Sequence, residues 1–262
     1  MMHTRDEKLA AMGRFMDVLD TLRVQCPWDR KQTNESLRAN TIEETYELAE
    51  ALMADDNTNI CKELGDVLLH VLFYSKIGEE KGAFDLADVC NKETDKLIYR
   101  HPHIYGEVHA DTPEDVKANW EKLKEKEKGG NKTVLGGVPS ALPAMIKAAR
   151  IQEKAANVGF DWEKREDVWN KVKEEISEVE TEIQSKDKIR LEAEFGDLLF
   201  AVINAARLYG VNPENALEHT NRKFIDRFNY IEAGAKKQGK HVSDLTLAEM
   251  DALWDEYKKN KE

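Results

Sequence analysis

The chain has 262 residues, 41% apolar and 34% charged, enough to bury one large core or two modest ones, so disorder throughout is excluded. Its 39 Lys and Arg against 51 Asp and Glu leave a net charge of −12, which repels a phosphate backbone and disfavours general nucleic-acid binding. With only 14 Gly and 6 Pro, the turn-rich pattern of a β-sandwich or barrel is missing, and the expectation is an all-α protein.

The segment Met1 to Ala10 is charged and polar, and no window approaches about 18 consecutive apolar residues, so a cytoplasmic protein without membrane association is expected. Apolar residues recur at helical spacing over Leu9–Leu22, Ile42–Met53, Ile60–Ile77 and Leu86–Ile98. Thr112-Pro113-Glu114-Asp115 has the form of a cap followed by proline and early acids, and predicts a charged helix to about Lys128. Residues 129–143, with four glycines and two prolines, form the strongest composition break and are expected to link a domain of residues 1–128 to one of residues 144–262. Helical patterns resume over Ala144–Asn157, Asp167–Gln184, Leu191–Tyr209 and Pro213–Ala235, then behind a Thr246/Glu249 capping box over Leu247–Lys258. Cys26, Cys61 and Cys90 are odd in number and form no Cys-x-x-Cys pair, which predicts reduced thiols, two of them packing on helices.

The two halves repeat each other. Glu43, Glu44, Glu47, Glu63 and Asp66 recur 131 positions later as Glu174, Glu175, Glu178, Glu194 and Asp197, with Gly65/Gly196 and Leu68/Leu199 in the same register and no gap. Each half thus carries Glu-Glu-x-x-Glu on one helix and Glu-x-x-Asp on the next. Residues three or four apart share a helix face, and a short connection makes the two helices antiparallel neighbours, so the acidic pairs converge. Carboxylates crowded in this way repel one another unless a cation sits between them, and hard oxygen donors without His or Cys select Mg²⁺ or Mn²⁺. The competing readings are a solvated Glu-rich helix face, which the duplication and the apolar run Leu198–Val202 argue against, and a ferritin-like di-iron site, which would want His where Asp66 and Asp197 stand. His70, with Ala201 at its equivalent, reads as a local core or surface residue.

Basic and aromatic residues repeat as well. Lys96 and Arg100 are echoed by Lys223 and Arg227, and Trp120 and Lys124 by Trp254 and Lys258, each pair at i, i+4 spacing. Cations facing a metal cluster suit a polyphosphate, with the indole available to a base or ribose, although solvated lysines and a packing tryptophan would look the same.

With these residues in view, the sequence resembles two-domain MazG-type nucleoside triphosphate pyrophosphohydrolases. The resemblance rests on Cys26–Thr33 (CPWDRKQT), both acidic sets, Arg100-His101-Pro102-His103, and Asn157–Trp162 (NVGFDW) at the entrance to the second domain. It implies an all-α fold of two tandem repeated helical domains whose bundles are completed across a homodimer. It also implies Mg²⁺-dependent cleavage of nucleoside triphosphates between the α and β phosphates, giving monophosphate and pyrophosphate.

The resemblance places metal ligands at Glu175, Glu178, Glu194 and Asp197, and at Glu44, Glu47, Glu63 and Asp66 in the first half. It places nucleotide contacts at Lys223, Arg227, Trp254 and Lys258, with Arg190 standing where the family usually has Lys and Ala193 where it sometimes has an acid. His101 and His103 read as a helix-ending turn rather than zinc ligands. Glu174, beside the ligands, is the candidate to activate the attacking water. The second half is expected to do the chemistry, since Asn59 replaces Arg190 in the first half and two-domain members carry most activity in the C-terminal half. A broad range of NTP and dNTP substrates is expected. The rival reading is a non-catalytic acidic helical scaffold that binds nucleotide.

Overall fold

The computed structural model describes residues 2–112, 115–116, 119–120, 123 and 133–261, and among these every regular element is helical. The chain divides into two compact units, Met1–Leu123 and Lys124–Glu262.

The first unit contains α1 (Arg5–Gln25), α2 (Asn34–Met53), α3 (Asn57–Glu80), α4 (Leu86–Arg100) and the short α5 (Pro102–Tyr105). Three of these helices start earlier than their apolar period, and capping explains each, by Asp56 for α3 and by reciprocal bonds for α1 and α2. The Thr4 N–H donates to Glu7 Oε2 at 2.7 Å and the Glu7 N–H returns to Thr4 Oγ1 at 3.3 Å, so α1 opens at Arg5. Thr33 and Ser36 exchange the same pair of bonds at 2.9 and 3.1 Å, so α2 opens at Asn34. Leu19, Leu37, Leu72, Phe73 and Ile77 form the core joining α1, α2 and α3. Arg23 ties the end of α1 to α3 through a fork onto Glu80, both bonds 2.8 Å, and donates to the carbonyls of Asp29 and Gln32 in the CPWDRKQT segment.

His101 terminates α4, its N–H donating to the Ile98 carbonyl at 3.3 Å, and Pro102 opens α5, in keeping with a helix-ending turn. Thr112 and Asp115 form the expected cap, and residues 115–116, 119–120 and 123 are helical; the remainder of the predicted helix to Lys128 lies outside the described residues. The expected packing of two cysteines is not met. Cys61 and Cys90 lie on helices α3 and α4 but on outward faces, exposed, and Cys26 at the end of α1 is half-buried.

The second unit contains α6 (Ala144–Asn157), α7 (Val168–Ser185), α8 (Lys188–Leu208), α9 (Pro213–Lys237) and α10 (Leu247–Lys261). α7 packs along α8, α6 lies against α8 and α9, and α9 pairs with α10. Thr246 and Glu249 exchange capping bonds at 2.7 and 3.3 Å. Arg207 of α8 forks onto Asp161 at 3.0 and 2.6 Å, which anchors the NVGFDW loop. No helix among the described residues is long and apolar enough to cross a membrane.

The register of 131 extends into caps and core. Asp56 caps α3 and Asp187 caps α8, each through its carboxylate to the second and third N–H groups of the helix. Val168, Val172, Ala201 and Ala205 form an apolar core, and the equivalents in the first unit are Leu37, Thr41, His70 and Tyr74. There Thr41 Oγ1 lies 3.0 Å from His70 Nδ1 and 2.5 Å from the Tyr74 hydroxyl, so His70 is a hydrogen-bonded core residue. Its burial holds the imidazole below its ordinary pKa, against the opposing pull of Asp66.

Candidate metal and nucleotide site

In each unit the antiparallel helix pair brings carboxylates of three of its acids together. One oxygen from each of Glu175, Glu194 and Asp197 lies within 4.8 Å of the others, and the same holds for Glu44, Glu63 and Asp66. Glu175 and Asp197 come from different helices, so the convergence depends on the α7–α8 pairing, as that of Glu44 and Asp66 depends on α2–α3.

The two triads are not copies in their burial. In the second unit the buried acid is Glu175, 4% exposed, on the first helix of the pair; in the first unit it is Glu63, 5% exposed, on the second helix. In both cases one oxygen, Oε2, is buried without a hydrogen-bond partner among the described residues. A buried carboxylate oxygen left unpaired is costly, and a hard divalent cation is the chemistry that satisfies it, so these residues fit such an ion.

Glu178 and Glu47 are exposed and lie at the edge of the triads. The neighbouring Glu175 carboxylate holds the Glu178 carboxyl above its ordinary value, with burial and the Glu194 charge adding to the rise. Glu44 is raised by burial first and then by the charges of Asp66, Glu47 and Glu63. Mutual repulsion of this kind is relieved when a cation binds.

Two lysines touch the triads that the spacing of acids did not reveal. Lys171 Nζ lies 2.6 Å from Glu175 and 2.8 Å from Glu174, and Lys62 Nζ lies 2.7 Å from Glu63 and 3.9 Å from Asp66. Both ammonium groups are raised in pKa, chiefly by those hydrogen bonds. Glu174 is exposed and held by Lys171 beside the triad rather than within it.

The MazG nucleotide pyrophosphohydrolase domain matches residues 32–105 and 164–231, the two stretches that carry the two triads. The chain belongs to the MazG family. It is 43% identical over 234 residues to the nucleoside triphosphate pyrophosphohydrolase/pyrophosphatase MazG of Thermotoga maritima, covering 89% of each chain. It is 38% identical over 264 residues to the nucleoside triphosphate pyrophosphohydrolase of Escherichia coli, covering 99% of each. A third relative, the uncharacterized protein YabN of Bacillus subtilis, is 45% identical over 98% of this chain, which spans 54% of YabN.

The nucleotide-binding residues expected in this MazG chain divide between an acid-bearing helix and a second helix pair of the same unit. Arg190 is exposed in the first turn of α8, one turn before Glu194, and pairs with Asp187 at 3.6 Å. Lys223 and Arg227 lie on α9, and Trp254 and Lys258 on α10, a helix pair distinct from the α7–α8 pair of the acids. The Arg227 guanidinium stands 5.0 Å over the Trp254 ring, which is T-shaped to Phe224 with centroids 5.3 Å apart, so both neighbours hold the indole in place. The echo in the first unit is structural too: Arg100 stands 5.7 Å over Trp120. Lys124, the counterpart of Lys258, lies outside the described residues.

Proposed function

We propose that this chain cleaves nucleoside triphosphates between the α and β phosphates, using a divalent ion at the Glu175/Glu194/Asp197 triad. As a MazG family member it is a nucleoside triphosphate pyrophosphohydrolase. The observation that carries the site is the buried Glu175 carboxylate, whose unpartnered Oε2 belongs to a group of three converging acids. Mg²⁺, with Mn²⁺ as its substitute, is the ion that hard oxygen donors of this kind select.

Glu175, Glu194 and Asp197 would hold the ion, with Glu178, three residues after Glu175 on the same helix face, joining them. When bound, the ion offsets negative charge on the α-phosphate and on the departing pyrophosphate. Glu174 orients or deprotonates the attacking water, its carboxylate fixed next to the triad by Lys171 at 2.8 Å. Arg190, Lys223, Arg227 and Lys258 supply cations to the polyphosphate, and the Arg227–Trp254 stack presents charge and ring together to the nucleotide. One indole and several cations do not read a base edge, so broad acceptance of NTPs and dNTPs follows. The first-half triad takes metal or nucleotide with little turnover, in a domain arrangement of residues 1–128, a linker over 129–143, and residues 144–262.

A second copy of the chain completes the bundles. Leu52, Leu64 and Val71 on the first helix pair and their equivalents Ile183, Phe195 and Val202 on the second are all exposed, so the same apolar face is presented twice. Faces of this kind on a helix pair are covered by further helices.

The test is pyrophosphate release from a nucleotide mixture with and without Mg²⁺. Release that needs Mg²⁺ and disappears in Glu194→Gln supports the reading; silence of the folded wild-type protein with every nucleotide favours the scaffold.

A further inference from the structure

The two oxygens of Glu63 differ in company. Oε1 accepts a hydrogen bond from Lys62 Nζ at 2.7 Å, while Oε2 is buried with no partner among the described residues. The same ammonium lies 3.9 Å from Asp66 Oδ2. One lysine therefore engages two of the three carboxylates that converge in the first-half triad, and the unpartnered Oε2 marks a place where cation charge is still wanted.

The second half is built differently. At the register of Lys62 it has Ala193, which carries no charge, and its own lysine, Lys171, touches Glu175 alone within the triad, its other contact being Glu174 outside it. Lys171 has Asn40 at its equivalent, so the two lysines arose at unrelated positions of a duplicated frame. The Lys62 side chain is 61% exposed, so its ammonium stays hydrated and swings away at small cost. A tethered charge next to its partners nonetheless has a high local concentration and competes with any free cation for the same oxygens.

Building on the divalent-ion reading of the triads, we propose that Lys62 is a tethered counter-cation of the first-half site, which a divalent ion must displace from Glu63 and Asp66 and which thereby weakens metal binding there. The ammonium neutralises part of the triad in the metal-free protein. A doubly charged ion coordinated by several oxygens at once, including the vacant Glu63 Oε2, supplies more than the lysine gives and wins at sufficient concentration.

The test is calorimetric titration of Mn²⁺ into the full-length protein carrying Glu194→Gln and Asp197→Asn, which disables the second-half triad and leaves the first as the one measured. In that background Lys62→Ala installs the residue of the second half at a largely exposed helix position where alanine is well tolerated, and circular dichroism checks its helix content. Mn²⁺ is expected to bind about threefold or more tightly in Lys62→Ala, as removal of an exposed ion pair predicts, and no more tightly in Lys62→Arg, which keeps the charge. Unchanged or weaker binding in Lys62→Ala, or equal tightening in Lys62→Arg, overturns the role of Lys62. Absence of Mn²⁺ binding both with Lys62 and with Lys62→Ala overturns the metal reading of the first-half triad itself.

Discussion

Asp55 and Lys186 stand 131 positions apart and are the two non-glycine residues with left-handed backbone among the described residues, with φ of 52° and 60°. Each turns the chain from one helix of a triad-bearing pair into the next and precedes the aspartate that caps the following helix. The duplication therefore preserves the turn that makes the helices antiparallel and lets their acids meet.

A side chain in this conformation is strained, lysine more than aspartate, and glycine is not. Lys186→Gly is expected to stabilise the second unit by about 0.5–1 kcal/mol after the entropy that glycine costs, a rise in melting temperature of roughly 1–4 °C. Asp55→Gly should gain less. Thermal melts of the two variants check this, and a lowered melting temperature for Lys186→Gly would contradict it.

Thr41 supports a polar chain where the second unit has Val172 packed with Ala201 and Ala205. Thr41→Val keeps the volume but leaves His70 Nδ1 and the Tyr74 hydroxyl without that partner. The expected loss is about 1–3 kcal/mol, read by urea denaturation, while helix content at low urea stays unchanged.

Much of this architecture was legible in the residues. α4 and α6 begin where Asp85 and Pro143 punctuate the apolar period, at Leu86 and Ala144 as expected, and the Thr246/Glu249 cap forms as its spacing indicated. The starts of α1 and α2 were hidden because their first turns are polar, and only the reciprocal caps at Thr4 and Thr33 extend them. The gapless repeat located the converging acids, but not which of them would be buried, since that depends on how each helix pair rotates against its own core. The contact of Lys62 is not legible in sequence because adjacent residues do not usually face each other on a helix, whereas Lys171, four residues before Glu175, stands at a spacing that puts both on one face.

The Thr246/Glu249 cap also sets a pH dependence. The Glu249 carboxyl is brought down from an ordinary 4.5 to about 2, first by the Thr246 N–H, then by Lys240 and the Thr246 hydroxyl. A carboxyl whose pKa is lowered on folding contributes stability that is present above its unfolded value and disappears as pH falls through its folded value. Between about pH 5 and pH 2 the melting temperature of the wild type should therefore fall more steeply than that of Glu249→Gln, which has no such proton to gain. Parallel slopes for the two proteins would remove the cap from the account.

Which triad turns over substrate is decided by a matched pair of variants, Glu47→Ala and Glu178→Ala, equivalent positions of the two halves that are exposed and cost little packing. Both are assayed for pyrophosphate release at saturating Mg²⁺ with the same nucleoside triphosphate, helix content being checked in each. Glu178→Ala is expected to lose activity on the order of a hundredfold or more, as loss of charge stabilisation at the reacting centre predicts, while Glu47→Ala stays near wild type. Loss of turnover in Glu47→Ala with Glu178→Ala left near wild type would contradict the account and move the chemistry to the first-half triad.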